Sequence, residues 1–300
     1  MKCVRIAAAV VLSIMMTMAL AGCASNDYKP ELGSPQVEPP TIGEEGTLRV
    51  GVNTSKSPLA GMGNDRIIGI DVDIAAALAD ELGLKLSLED VGTSPDTALE
   101  EGSVDIVMGI DKSDSDAGFW LSAEYLPTGV AVFATEGSNA AVPKKDDGSK
   151  IAAQVSSKSA WAVTNAFGDS ALESANDLSS AISELASGQV DYLASDAVIG
   201  MYAANRAGTP VEIVALIDSA SGYCIGASSE NIALQSAVAD ALSTLLNNGT
   251  IGVIEQKWLG SLLDLSTTPT AEVTPEKTDN ADEPTGDADA TAQSSAATAA

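Results

Sequence analysis

Residues 69–83 read GIDVDIAAALADELG. Ile70, Ile74, Ala77, Leu78 and Leu82 fall at three- and four-residue intervals, which lays one apolar stripe along a helix. Asp71 and Asp73 stand in its first turn, where carboxylates meet the positive end of the helix dipole, and Gly83 suits its stop. Short apolar runs flank it and read as buried strands: TLRVGV (47–52) before and LKLSL (84–88) after. A second helix starts at Ser94, with Pro95 in its first position and Gly102 as the stop. VDIVMGI (104–110) then has the unbroken apolar character of a parallel strand covered on both faces. Strand, helix, strand, helix, strand is the pattern of an α/β layer.

The same order recurs downstream. Residues 151–155 are strand-like, and 177–187 (DLSSAISELAS) form a helix with Ile182 and Leu185 inward. Gly188 ends that helix and 190–194 resume as a strand. LEEGSVDIVMG (99–109) and LASGQVDYLAS (185–195) share Leu, Gly, Val and Asp at identical spacing. Either every helix–Gly–strand unit looks like this, or the chain holds two lobes of related construction.

The two ends differ from this middle. Lys2 and Arg5 precede a short apolar run, 6–20, and the segment closes on LAGC (20–23). The run is shorter than the roughly 20 apolar residues of a membrane span, so 1–22 reads as a cleaved export signal. LAGC resembles the bacterial lipobox, which implies that Cys23 is lipidated and becomes the first mature residue; the alternative is an ordinary export signal with a chance cysteine. Acyl chains on Cys23 would anchor the protein to the membrane, outside the cytoplasm. Residues 24–45 carry four prolines and five acids, so 23–45 is expected to be a disordered lipid-proximal linker. Residues 266–300 carry seven acids, eight threonines and one lysine, and read as a disordered acidic tail. About residues 46–265 remain for folding, enough for two lobes.

Composition removes whole classes of function. Without Lys2 and Arg5, 13 basic residues face 42 acidic ones, a net charge of −29. That argues against nucleic acid and against adhesion to anionic headgroups. Cys3 leaves with the signal and Cys23 takes lipid, so Cys224, in the apolar run GYCIGA, stands alone as a buried thiol with no disulfide. There is no histidine, which excludes Ser-His-Asp and Cys-His catalysis and His-ligated zinc. GIDKSDSDAGFW (109–120) has the acids of a calcium loop without its frame. Such a loop needs Gly at position six and an acid at twelve. Counting from Asp111 those are Asp116 and Ser122, and from Asp114 they are Phe119 and Tyr125. No metal or other cofactor is expected.

Five stretches together resemble the family 3 solute-binding proteins of ABC transporters, the amino-acid-binding lipoproteins. They are GTLRVGV (46–52), GIDVDIAAALADELG (69–83), LEEGSVDIVMGI (99–110), LASGQVDYLASD (185–196) and NNGTIGVIEQKWLG (247–260). The resemblance implies a periplasmic-binding-protein-like fold of type II, two α/β lobes joined by two crossover strands with the ligand between them. Lobe 1 would take 46–127 and 224–265, lobe 2 would take 128–223, and the crossovers would lie near 124–128 and 219–223. Hinges of this kind allow closure on a ligand. The implied partners are a small polar solute and an ABC permease in the membrane, with the receptor itself a monomer.

The implied site departs from the family's pattern. The loop after VDIVMGI should carry a hydroxyl residue and then an Arg that forks onto the ligand's α-carboxylate. Here Asp111 falls at the hydroxyl position and Asp116 at or beside the Arg, and no Arg lies between Arg66 and Arg206. In NTSKSPL (53–59), Lys56 stands where an aromatic usually covers the ligand, and EDVGTS (89–94) also lacks one. QVSSKS (154–159) occupies the place of a Gly-Ser/Thr pair whose backbone N–H groups bind ligand. Asp196 matches the acid that pairs with a ligand ammonium. The candidate contacts are therefore Asn53, Lys56, Gly109, Asp111, Asp116, Gln154, Ser157 and Asp196. Lys56 or Lys112 would replace the missing positive charge, or else Asp111, Asp116 and Asp196 form an acidic cleft for a cationic or polyamine-like solute. Trp120 and Trp161 are candidate stacking faces, or core and hinge residues. The leading expectation is a transport receptor and not an enzyme. A sensing or scaffolding lipoprotein with a degenerate site is the alternative. A dehydratase of prephenate-like acids on the same scaffold would need cationic groups for two carboxylates and a general acid, which this pocket lacks.

Overall fold

The computed structural model describes residues 32–114 and 117–271. The export signal 1–22, the lipidation site Cys23, Asp116 and the tail beyond 271 lie outside the described residues. In chain order, β1 (Thr47–Val52) leads to a hairpin, β2 (Gly61–Gly63) and β3 (Arg66–Ile68). Then come α1 (Ile70–Glu81), β4 (Lys85–Asp90), α2 (Pro95–Glu100), β5 (Ile106–Asp111) and a 3-10 turn, Lys112–Asp114. Two short strands follow, β6 (Trp120–Leu121) and β7 (Leu126–Thr128). The middle of the chain holds β8 (Val130–Thr135), β9 (Ile151–Gln154), α3 (Lys158–Phe167), β10 (Leu172–Ala175), α4 (Leu178–Ser187), β11 (Tyr192–Asp196), α5 (Ala197–Ala207) and β12 (Val211–Leu216). The last elements are β13 (Ser221–Ala227), α6 (Ile232–Asn247) and α7 (Thr250–Leu259).

These make two α/β lobes. The first sheet runs β4-β1-β5-β13-β6, with β7 also on β13, and the second runs β10-β9-β11-β8-β12. The opening helix α1 buries Ile70, Ile74 and Leu78 against Leu48, Val50 and Ile106 of the first sheet. The second sheet is covered on both faces, by Val163 and Phe167 on one side and by Ile182 and Leu185 on the other. One expectation is corrected here. β5 is parallel to β1 but antiparallel to β13, with Tyr223 opposite Asp111 and Ala227 opposite Ile106. The sheet is mixed because its last strand arrives from the other lobe and must run back down. The chain leaves the first sheet after β7 and returns at β13. These strands pair side by side, Ser221 with Thr128 and Tyr223 with Leu126, and form the hinge.

The repeated Val-Asp has the same physical task in each lobe. Asp105 Oδ2 accepts the Arg49 backbone N–H at 2.8 Å, and Asp191 Oδ2 accepts that of Lys150 at 2.9 Å. Each carboxylate thus satisfies a donor at the start of the neighbouring parallel strand, where the ladder has no partner for it. Asp105 also takes the Arg49 guanidinium at 2.7 Å. Two of the sequence signatures meet as well. Asp73 of GIDVD accepts from Lys257 Nζ at 2.5 Å and Trp258 Nε1 at 2.6 Å, both from KWLG.

Both expected disordered ends are corrected at their inner edges. Val37 and Ile42 of the 23–45 stretch are buried in lobe 1. The Gln36 N–H donates to Leu82 O at 3.0 Å, and Gly43 N–H donates to Asp105 Oδ1 at 2.8 Å. Two buried apolar side chains and backbone donors that find acceptors dock this proline-rich segment. At the other end Leu265 and Ala271 are buried in the second lobe. The Leu216 N–H donates to Pro269 O at 2.9 Å and the Ala271 N–H to Leu216 O at 2.7 Å. Residues 266–271 thus extend the edge of the second sheet beyond β12, so the chain crosses between lobes a third time after α7.

Candidate functional site

The C-terminal end of β5 meets the chain after β9, where Lys158 Nζ stands 3.7 Å from Asp111 Oδ2, and strand ends of this kind are where open α/β sheets bind ligands. Asn53 follows β1, Asp111 ends β5, Gln154 ends β9 and Asp196 ends β11. The sequence candidates separate into four groups in space.

Asp111 is the centre of the first. Its Oδ1 accepts from Ser113 N (2.9 Å), Ser113 Oγ (2.9 Å) and Ser221 Oγ (2.7 Å). Its Oδ2 faces the opposite lobe, 3.7 Å from Lys158 Nζ. Burial opposes its charge, but the Ser221 and Ser113 hydrogen bonds and the Lys158 ammonium outweigh burial and hold its carboxyl below the usual carboxylate range. Lys158 was not among the residues singled out from sequence. The signal for it was available: a lysine in the first turn of a helix sits at the wrong end of the dipole, directly after Ser157. Ser157 caps that helix, its Oγ accepting the Ala160 N–H at 3.1 Å, and Gln154 O accepts the Ser157 N–H at 3.2 Å.

Gly109 lies beneath. Its N–H donates to Tyr125 Oη at 2.9 Å, and Tyr125 donates to Asp71 Oδ1 at 2.6 Å, all in the buried interior. Burial raises the Asp71 carboxyl to about 6, while the Tyr125 hydrogen bond and the Lys56 charge pull it down. Gly109 has φ +73°, and a Cβ there would stand 2.6 Å from Asp71 Oδ2. Tyr125 pins that carboxylate, so it cannot retreat. Gly109→Ala should therefore cost about 1–3 kcal/mol from backbone strain and the close approach. A urea-denaturation loss below about 0.5 kcal/mol, the ordinary scatter of surface substitutions, would refute this role.

Asn53 and Lys56 share a turn in which Asn53 Oδ1 accepts from Ser55 N at 3.0 Å and the Lys56 N–H donates to Asn53 O at 3.1 Å. Thr54 Oγ1 ties the turn to Asp90 at 2.5 Å. Lys56 is exposed. Lys112 pairs with Glu124 at 3.1 Å at the surface. Of the tryptophans, Trp120 packs on the lobe 1 core, while Trp161 on α3 is 72% exposed.

Asp196 is the hinge. Its Oδ1 caps α5, accepting Val198 N and Ile199 N at 2.9 Å each. Its Oδ2 accepts Thr128 Oγ1 at 2.5 Å and Tyr223 Oη at 3.0 Å, one hydroxyl from each crossover. A carboxylate has about four lone-pair sites, and all are taken inside the chain. Burial raises its carboxyl, and the four donors pull it back in part. The geometry makes Asp196 a tie between the crossovers and lobe 2, with no acceptor position left for a ligand ammonium in this conformation. Sequence spacing gave no sign of partners so distant in the chain.

Two α/β lobes joined by paired crossovers define the architecture of a two-lobed periplasmic-type binding protein. The chain belongs to the bacterial extracellular solute-binding proteins, family 3, which its residues 48–261 match. It is 23% identical over 270 residues to the L-cystine-binding protein TcyJ of Escherichia coli (strain K12), covering 87% of this chain and 98% of that one. An ancestral cationic amino acid solute binding protein superposes with a TM-score of 0.60 at 25% identity, covering 71% of this chain and 96% of that one. The substrate-binding protein of a polar amino acid ABC uptake transporter from Streptococcus thermophilus shares the fold, with a TM-score of 0.64 at 18% identity over 72% and 86% of the two chains. The family and the relatives named here are binding proteins. No helix among the described residues is long and apolar enough to cross a membrane.

Proposed function

We propose that the protein captures an amino-acid-like or cationic polar solute between its lobes and delivers it to an ABC permease, held at the outer face of the cell membrane by lipid on Cys23. The observation that carries the solute class is Asp111. It is an ionised carboxylate fixed by three hydrogen bonds, with its second oxygen turned across the cleft. Relatives named for cystine and for cationic amino acids support a ligand bearing an ammonium group. In this reading lobe 1 is 46–127 with the chain from 224 through α7, lobe 2 is 128–223, the receptor is a monomer, and Asn53, Lys56, Gln154 and Ser157 line the cleft around Asp111. Asp116 belongs to the same loop and would add to its negative charge.

A thermal-shift screen against amino acids, polyamines and short peptides tests this. A ligand at 100 times its dissociation constant adds about 2.7 kcal/mol, or about 5–10 °C for a fold of this size. No shift with any of them would favour a sensing or scaffolding lipoprotein. The anchor is tested separately. Cys23→Ser should move the protein from the membrane fraction to the soluble one, and unchanged membrane association would refute lipidation there.

A further inference from the structure

The family match ends at residue 261, just past α7, yet the chain runs on from lobe 1 to the edge of lobe 2. It leaves α7 through Gly260, which has φ +80° and lies so close to α5 of lobe 2 that a Cβ there would stand 2.5 Å from Asn205 Nδ2. Asn205 Nδ2 also donates to Leu259 O at 3.1 Å. Beside this contact Val198, Met201 and Tyr202 of α5 pack into the lobe 1 core, and the rings of Tyr202 and Trp258 lie 6.2 Å apart. Leu263 packs against the cores of both lobes, and Leu265 is buried in that of lobe 2. Asp264 Oδ1 accepts the Ser266 N–H at 2.9 Å, a turn that precedes the run along β12. There Thr270 pairs in parallel with Leu216, and Ala271 is buried.

This third link lies apart from the other two. The crossovers β7 and β13 pair side by side and bend together as one hinge. They are tied to α5 at Asp196, whereas Asn205 stands nine residues farther along that helix, about 13 Å from the tie at 1.5 Å per residue. A swing of lobe 2 about the crossovers therefore pulls on a link that the crossovers do not share. The link has little slack. Five residue steps join Gly260 to Leu265, a reach of about 17 Å when fully drawn out, and Leu263 is already packed on both lobes. Its hold on lobe 2 is modest: Leu265, Ala271 and two backbone hydrogen bonds to Leu216, with residues 266, 267, 269 and 270 exposed. Such a segment can peel from a sheet edge while the lobes themselves stay folded.

We propose that residues 261–271 are a strap that limits how far the lobes part. Seated on β12, it holds the solute-free protein near the inter-lobe angle of this structure, and wide opening requires the strap to leave the sheet edge. The strap acts in this way whatever solute the cleft takes.

Distances between spin labels on the two lobes test it. Met62→Cys, after β1, and Trp161→Cys, after β9, place labels at exposed sites of lobe 1 and lobe 2, and Cys224 is buried and stays unlabelled. The labelled Cys23→Ser protein, dialysed free of solute, should give a single narrow distance. Leu265→Asp with Ala271→Asp should unseat the strap, so that the distance lengthens by several ångströms and its distribution broadens. Leu265→Ala with Ala271→Pro is the milder pair. It trims the buried anchor and removes the Ala271 N–H that donates to Leu216 O, and it decides the matter if two buried charges prevent folding. A distance in the folded variants as narrow and as short as in the parent would overturn the strap's role. So would a parent that already shows the long, broad distribution.

Discussion

Asp196→Ala should lower the folding free energy by about 2.5–8 kcal/mol, the sum of a lost helix cap at about 0.5–2 kcal/mol and two stranded hydroxyls at about 1–3 kcal/mol each. The cap is the pair of bonds from Val198 and Ile199, and the hydroxyls are Thr128 and Tyr223. Thr128 is fully buried and Tyr223 nearly so, so water cannot replace the carboxylate. Asp196→Asn keeps an oxygen for the cap and an amide that can donate to the two hydroxyls, so about half the loss or less should remain. Urea melts of the two variants at neutral pH give the comparison. Equal, small losses would mean that the crossovers are not tied through this residue.

The second large effect is a dependence on pH that centres on Asp71. In the unfolded chain its carboxyl titrates near 3.8, and in the fold burial raises it to about 6. Below both values the folded and unfolded chains carry the same proton and the group is silent. Between them the unfolded chain has released its proton while the folded chain still holds it, so stability falls as pH rises. Above about 6 the full penalty of a buried carboxylate is present, about 3 kcal/mol for a shift of roughly two units. Asp196 is raised as well and adds to the same slope. Asp71→Asn keeps an acceptor for Tyr125 and has no proton to release. Between pH 3 and 7, wild type should therefore lose about 3 kcal/mol relative to Asp71→Asn. The slope, not the absolute stability, is the readout, because the new amide brings buried donors of its own. Parallel curves for the two proteins would show that the fold leaves the Asp71 carboxyl at its unfolded value and would contradict the shift.

Much of the fold was legible because local chemistry agreed with the final topology. The stripe of Ile70, Ile74 and Leu78, the stops at Gly102 and Gly188, and the Val-Asp pairs all act within one helix–strand unit. The pairing of β5 with β13 was not legible, because it joins residues more than a hundred positions apart and depends on which way the returning strand runs. The same reason hides the docking of Val37 and Ile42, single apolar residues in a polar stretch that has no period to reveal them. At the site, type and position of Asp111 could be read from the loop after VDIVMGI. Its partners could not, since Ser221 and Lys158 reach it from the hinge and from the other lobe. The lysine positions weighed from sequence, Lys56 and Lys112, were those close to the loop along the chain, whereas the cation that meets Asp111 is close only in space.

The central claim is that this cleft binds an α-amino acid. The most direct test is a calorimetric titration of the purified protein at neutral pH with each proteinogenic amino acid and with cystine. The account predicts saturable binding of at least one of them, one ligand per chain and micromolar or tighter. No saturable heat with any amino acid, from protein shown to be folded by its urea melt, would contradict it.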